Sequence, residues 1–362
     1  MRSKSKFQYK IIANHKSSKE IIEKIMEELN IGTAFLVSPS VEKVVHLPGE
    51  CKDWVTGTRY RNNIYIYVDD SYFRSNYLEQ ILTSLWANLL DFGEIRLEDF
   101  RFSDNLHRIL TSNISTKQYT QKLLGINGPY FSIIFKPSFS LSLTEKINIA
   151  QKFASIGGTF IKEDETYLIE KSKLLEEAMF IQKTTNETSD HCFYVPNVTP
   201  HILDDSLFKR LYELGIRIVM VNYWIAGLPT VYTTVRRNKE MLFWGHRVGY
   251  RAIQRYLSMK ALALLAPYSG MNMIHIGTPF FSKNNSVSER LSILKAIKQV
   301  NPEILPVFTK CSHQIISSLI KSFGKEIIIM ACGSIMGDTS IDWEKVKNMI
   351  EIIKKEVIKN DK

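Results

Sequence analysis

The chain has 362 residues, 44% of them apolar and 23% charged, a balance that suits one large or two ordinary globular domains and excludes a disordered or fibrous chain. Its formal charge of +10 is scattered, with many lysines on helix faces such as Lys345, Lys347, Lys354 and Lys355. No compact basic block carries interleaved aromatics, so nucleic-acid binding is not expected, whereas a positive field suits an anionic small substrate. No apolar run approaches the roughly 20 residues that span a bilayer, and no apolar segment follows the basic start, so no membrane segment and a cytoplasmic location are expected. The four cysteines, Cys51, Cys192, Cys311 and Cys332, make no CxxC pair and no zinc pattern; reduced thiols are the simplest account.

The first hundred residues predict strand, helix, strand, strand, helix, strand. Phe7 to Ala13 alternates like a strand. Ser17-Ser18-Lys19-Glu20 caps a helix with Ile21, Ile22, Ile25, Met26 and Leu29 on its apolar face. Ala34 to Val37 is a short strand, and Asn63 to Val68 another. Tyr77 to Leu90 has helical spacing, and Ile95 to Phe102 closes the set. That order is a ferredoxin-like α+β sandwich. Residues 103 to 129 have no strong period, contain Gly125 and Gly128-Pro129, and hold the domain boundary, giving an N-terminal domain over 1–115 and a catalytic domain over 116–362.

From Tyr130 the pattern becomes short apolar strands alternating with helices. The strands expected are Phe131–Phe135, Thr159–Ile161, Cys192–Val195, Ile216–Val221, Met241–Trp244, Met273–His275, Leu305–Phe308 and Ile327–Met330. Amphipathic segments include Leu143–Ser155, Leu207–Glu213, Ala252–Leu265, Val287–Lys298 and Ile315–Phe323, and a helix from Asp342 to Ile358 ends the chain. Alternation allows a doubly wound sheet, but this many repeats favour a closed (β/α)8 TIM barrel. Active sites of that fold lie at the C-terminal strand ends. The polar residues there are Lys136, Lys162, Asp164, Glu165, Asn197, Asn222, His246, Arg247, His275, Thr309 and Gly333-Ser334.

Within that set, Gly157-Gly158-Thr159-Phe160-Ile161-Lys162-Glu163-Asp164-Glu165 stands out. A buried strand stops abruptly in charge, and strand alternation puts Lys162 and Asp164 on one face. One reading is a solvated loop with Lys162 paired to an acid. The other is a hard-cation site, for which carboxylate oxygens suit Mg²⁺. An ammonium has donors and no acceptor, so Lys162 joins such a site only if its charge is removed or inverted.

Phe135-Lys136-Pro137-Ser138 followed by Gly157-Gly158 and Lys162-Glu163-Asp164-Glu165 resembles the core of the large subunit of RuBisCO and of RuBisCO-like proteins. The resemblance runs nearly the whole length, through Leu82 to Asn88, Ile95 to Phe100, Trp244-Gly245-His246-Arg247, Ile274 to Thr278 and Leu305 to Phe308. It implies the same ferredoxin-like domain before a TIM barrel. It also implies that Lys162 takes up CO₂ as a carbamate and, with Asp164 and Glu165, holds Mg²⁺ over a substrate carbonyl, the carbamate oxygen serving as base. Lys136 then handles protons on the enediol, His246 contacts substrate oxygens, and Arg247 and His275 hold a phosphate. Thr309 and Gly333 match further substrate-binding positions. Asn88 matches the asparagine that one subunit extends into its partner's barrel, which implies a homodimer with shared sites.

The departures are equally specific. The second lysine of true carboxylases is Ser138 here. The lysine of the mobile loop after strand six is matched by Ser282, with Lys283 one step off, and the acid that partners that loop is matched by Asp53. The glycines after the seventh strand are Lys310 and Cys311, and the cradle after the eighth is reduced to Cys332-Gly333-Ser334. The metal triad serves enolisation, and the lost lysines serve CO₂ addition. The resemblance therefore implies an Mg²⁺-dependent enolase or isomerase, or a decarboxylase, acting on a sugar-derived, phosphorylated ketone. The alternatives are a divergent ribulose-1,5-bisphosphate carboxylase using Lys283, and a non-enzymatic binding or regulatory scaffold.

Overall fold

The computed structural model describes residues 4–11, 21, 55–60, 63–70, 73, 78–83, 95–112, 120, 123–125, 127–280, 286–337 and 340–360. The chain divides into two units, Met1–Ser112 with Tyr250–Leu265, and Asn113–Gly249 with Ala266–Lys362. In the first, Lys4–Ile11 (β1), Val55–Tyr60 (β2), Asn63–Asp69 (β3) and Ile95–Arg101 (β4) form an antiparallel sheet in the order β2-β3-β1-β4. Phe7, Tyr9, Ile64, Ile66, Val68, Ile95 and Leu97 are buried at alternate positions, which gives the sheet one apolar face. The order is that of a ferredoxin-like sheet.

Two expectations need correction here. The strand that pairs with β3 is Val55–Tyr60, in register from Val55↔Val68 to Tyr60↔Asn63. Val-Thr-Gly-Thr-Arg-Tyr has β-prone residues but no apolar alternation, so the pairing partner sets its state. The expected strand over 34–37 and nearly all of the first expected helix lie outside the described residues. The single helix expected over 252–265 is instead two, Tyr250–Ile253 and Met259–Tyr268. Between them the chain pairs with the edge strand β4: the Leu97 N–H donates to Tyr256 O and the Ser258 N–H to Leu97 O, each at 2.9 Å. Those bonds to an open sheet edge override helical spacing.

The second unit holds eight parallel strands: Tyr130–Ile134 (β5), Phe160–Lys162 (β6), Phe193–Val195 (β7), Ile218–Asn222 (β8), Leu242–His246 (β9), Met273–His275 (β10), Leu305–Phe308 (β11) and Ile328–Met330 (β12). Their order is β7-β6-β5-β12-β11-β10-β9-β8. Met220 joins the two ends, donating to Pro196 O at 2.8 Å and accepting from the Val198 N–H at 2.9 Å, so the sheet closes into a barrel. The lumen is packed with Tyr130, Phe160, Val195, Ile218, Met220, Leu242, Trp244, Met273, Leu305, Val307, Ile328 and Met330. Helices including Leu143–Ser155, Lys171–Thr188, Asp205–Glu213, Val287–Val300, His313–Phe323 and Trp343–Asn360 follow the strands. No described helix is long and apolar enough to cross a membrane.

The glycine pair before β6 has a structural task. The Gly157 N–H donates to Ala154 O at 3.1 Å and the Gly158 N–H to Phe153 O at 3.0 Å, with Gly157 at φ +89°, so the pair ends the preceding helix in a left-handed cap. A Cβ on Gly158 would sit 2.1 Å from the Phe153 ring. Phe153 is fully buried and has no room to retreat. Gly158→Ala should therefore cost about 1–3 kcal/mol, read as a lower urea midpoint with an unchanged m-value.

Candidate active site

The site follows from the strand period of two. Each apolar side chain in the lumen has a successor two residues on that points the same way, one layer closer to the C-terminal mouth. Phe160 leads to Lys162, Val195 to Asn197, Met220 to Asn222, Trp244 to His246, Met273 to His275, Val307 to Thr309, and Met330 to Cys332. Lys136 lies two beyond Ile134 of β5. The apolar core thus ends in a polar layer, and the turn Glu163-Asp164-Glu165 rises from β6 beside it.

Lys162 is fully buried, and its Nζ donates to Glu163 O at 2.5 Å and stands 4.0 Å from Glu165 Oε2. Burial pulls its ammonium down to about 8 against the opposing pull of Glu165, Asp164 and Glu163. Asp164 Oδ1 accepts from the Thr166 N–H at 2.8 Å and the Thr166 hydroxyl at 2.7 Å, and Oδ2 faces Lys136 Nζ at 3.1 Å. Burial alone would raise that carboxyl; the Thr166 and Lys136 bonds outweigh it and hold it below the ordinary range. Lys136 shows the converse. Burial lowers its ammonium, while the Asp164 hydrogen bond and the Glu165 and Asp164 charges carry it above the usual value.

Two asparagines, read in the sequence only as polar strand ends, fix the turn. Asn197 Nδ2 donates to Asp164 O at 3.2 Å and Glu165 O at 3.3 Å, and Asn222 Nδ2 donates to Glu165 O at 2.9 Å. Asn222 Oδ1 is buried with no partner among the described residues. On the other side, His246 Nε2 lies 3.9 Å from Glu165 Oε2, and its Nδ1 is also buried without a partner there. The His246 and His275 rings meet edge to face, 4.5 Å between centroids. His275 Nε2 accepts from Trp244 Nε1 at 2.8 Å, which leaves the proton of the neutral ring on Nδ1. Burial first keeps both imidazoles well below their ordinary pKa, helped at His246 by the Lys162 and Arg247 charges and at His275 by His246 and then those same charges, so both are neutral near pH 7.

Arg247 is half-buried beyond β9 and comes within 3.4 Å of where a Cβ on Gly277 would lie; the buried Arg290 is 3.5 Å from the same point. Arg290 sits one turn into a helix outside the strand ends, and no strand-end signal could have flagged it. Thr309 O accepts from the Thr278 hydroxyl at 2.6 Å. Lys310 keeps a left-handed φ of +58°, the conformation a glycine adopts freely, and the Cys311 N–H is engaged by Met330 O at 3.2 Å. Gly333 is exposed at the start of a short 3₁₀ turn. The structure thus brings Lys136, Lys162, Asp164, Glu165 and His246 together, with His275 behind His246. Asn88, Asp53, Ser282 and Lys283 lie outside the described residues.

Two carboxylates make too small a donor set for a tight divalent site, and among the described residues no three His, Cys, Asp or Glu side chains are placed to hold a metal. The arrangement fits Mg²⁺ if Lys162 becomes an oxygen donor, as a carbamate is. The Glu163 carbonyl suits that change, because a carbamylated amine keeps one N–H and needs one acceptor. Asn222 Oδ1 and His246 Nδ1, on the two residues that flank Glu165, are buried polar atoms without a partner among the described residues.

The family model described as ribulose bisphosphate carboxylase large chain, catalytic domain, matches residues 115–296. The chain is 23% identical over 367 residues to the ribulose bisphosphate carboxylase of Pyrococcus horikoshii, covering 91% of this chain and 81% of that one. It is 25% identical over 283 residues to the 2,3-diketo-5-methylthiopentyl-1-phosphate enolase of Bacillus thuringiensis, covering 72% of this chain and 67% of that one. The octameric RuBisCO structure from Pyrococcus horikoshii superposes with a TM-score of 0.84 at 20% identity over 99% of this chain and 89% of that chain. A RuBisCO-like protein from Alicyclobacillus acidocaldarius superposes with a TM-score of 0.75 at 20% identity, over 97% and 93%. The structural likenesses speak for the fold, and the family match spans half of the sequence: the chain belongs to the RuBisCO large-chain superfamily.

Proposed function

We propose that this protein is a RuBisCO-like enolising enzyme, an isomerase or lyase that removes a proton beside the carbonyl of a sugar-derived, phosphorylated ketone. The observation that carries the reading is the gathering of Lys162, Asp164 and Glu165 at one strand end beneath Lys136, while Ser138 turns away. Ser138 is buried and its hydroxyl donates to the Glu163 carboxylate, on the helix side of the sheet. A residue there is no substitute for the second lysine of the carboxylases.

When bound, Mg²⁺ held by carbamylated Lys162, Asp164 and Glu165 supplies Lewis-acid polarisation of the carbonyl. The remaining roles belong to the chain. Lys136 stays protonated and half-exposed at the mouth, where it can give a proton to an enolate oxygen or receive one back. His246 is neutral and offers a hydrogen bond to a substrate oxygen without adding charge. Arg247 anchors the anionic end, with the His275 ring held by Trp244 beside it. Cys332 and Lys310, where glycines serve a phosphate cradle in the family, favour a substrate with a smaller anionic group at that end.

The exposed apolar side chains Phe139, Leu168, Leu203, Ile225 and Phe280 stand on the segments after β5, β6, β7, β8 and β10. An apolar rim around a catalytic mouth supports a homodimer covering it. Related archaeal RuBisCOs are dimeric or octameric.

The test is Mg²⁺-dependent exchange of solvent deuterium into 2,3-diketo-5-methylthiopentyl-1-phosphate and into ribulose-1,5-bisphosphate, with Lys162→Ala slowing it about 10²-fold or more. No exchange by protein that binds Mg²⁺ would overturn the proposal. The second reading, a divergent carboxylase, draws on the archaeal RuBisCO match over 91% of this chain. Labelled CO₂ retained in an acid-stable product would establish it.

The Lys162 amine must be neutral to attack CO₂, and its pKa is near 8. At fixed dissolved CO₂, the ¹³C-carbamate signal should therefore be strong above about pH 8 and fade as pH falls below it. Lys162→Ala should lack the signal at every pH.

A further inference from the structure

Behind the metal-site turn, on the helix side of the sheet, lies a buried charged cluster. Lys146 Nζ, fully buried, bridges Glu163 Oε2 at 2.8 Å and Glu177 Oε2 at 2.9 Å, and its third direction is filled by the Tyr167 ring, 3.7 Å to the centroid. Glu177 Oε1 accepts from the Tyr167 hydroxyl at 2.7 Å. Glu163 has all its acceptor positions used: Oε2 also takes the Tyr194 hydroxyl at 3.1 Å, and Oε1 takes the Ser138 hydroxyl and the Asp164 N–H, the latter at 3.0 Å.

The last bond links this cluster to the site. A trans peptide directs its carbonyl and its N–H to opposite sides. The peptide between Glu163 and Asp164 sends its carbonyl into the lumen, onto Lys162 Nζ at 2.5 Å, and its N–H outward, onto Glu163's own carboxylate. Rotation of that one peptide breaks both bonds. The carboxylate that resists rotation is itself held by Lys146, the only cation bonded to it among the described residues.

We propose that Lys146 is a positioning residue: through the Glu163 carboxylate it locks the 163–164 peptide and so aims Lys162 at Asp164 and Glu165. The inference rests on reading those three as the metal-binding turn. Without the Lys146 ammonium, the Glu163 carboxylate loses its one charged partner among the described residues, Glu163 swings, and the acceptor that orients the Lys162 nitrogen is released.

Lys146→Met alone leaves two buried carboxylates without a counter-ion, so the test uses the charge-balanced double variant Lys146→Met/Glu177→Gln, with Lys146→Arg as the conservative control. Hydrogen exchange without Mg²⁺ or CO₂ should show the amides of 163–167 exchanging about tenfold faster, with β9 to β11 unchanged. Unchanged exchange at 163–167, or acceleration spread evenly over the barrel, overturns the proposal. With Mg²⁺ and ¹³C-bicarbonate, the double variant should form about tenfold less Lys162 carbamate than the parent, and Lys146→Arg should recover most of it. Full carbamate in the double variant also overturns it. A parent protein that forms no carbamate sinks the metal-site reading instead, and the exchange pattern alone then decides the role of Lys146.

Discussion

A parallel strand in a closed barrel alternates its side chains between the lumen and the helix layer, and that alternation governs where charge can sit in this molecule. Below the mouth, both sides are sealed from water, and the inward positions are almost all apolar from Tyr130 to Met330, with the small hydroxyl of Ser132 among them. Charge becomes tolerable only at the last inward position of each strand, where the lumen opens. Lys162 occupies that position on β6, still fully buried but with acids one turn away. A residue one step along the strand faces the other way. Glu163 therefore enters the helix layer rather than the mouth, and the run of three acids divides between two environments.

The three lysines around β6 illustrate how placement changes chemistry. Lys136, half-exposed and paired with Asp164, is fixed as a cation. Lys162, sealed in the lumen with its nearest carboxylate oxygen 4.0 Å off, is brought to about 8, where the neutral amine is accessible. Lys146, between two carboxylates and the Tyr167 ring, has every donor engaged. One residue type thus supplies a paired cation at the mouth, a buried amine of lowered pKa and a buried bridge between two carboxylates.

The positions that depart from the carboxylase pattern are absorbed into the structure in different ways. Ser138 joins the buried cluster behind β6. Lys310 keeps a left-handed backbone, at a cost of roughly 1–2 kcal/mol for a residue with a Cβ, so the shape of that turn outlasts its glycine. The neighbouring Cys311 amide is bonded to Met330 O. Lys136, Lys162, Asp164, Glu165 and His246 are therefore kept together at the mouth while the turns after β11 and β12 are altered, the combination on which the proposed enolising role rests.

The order of elements and the barrel were legible in the sequence because buried parallel strands are short apolar runs, and each run here stops in a polar residue. The shared face of Lys162 and Asp164 was legible from the two-residue period, and Glu165 from its place at the turn that follows. The strand Val55–Tyr60 was not, since it has no apolar alternation and gains its state from β3. The helix Lys171–Thr188 was obscured because its buried stripe includes Glu177, Gln182 and Thr185. Spacing along the chain settled which residues face the mouth, because alternation is local. Only the tertiary structure decided that Lys146 bridges Glu163 and Glu177, the latter on a separate helix, and so braces the peptide beneath Lys162, because partners 17 and 31 residues from Lys146 are brought to it by helix packing and by nothing in their own neighbourhoods.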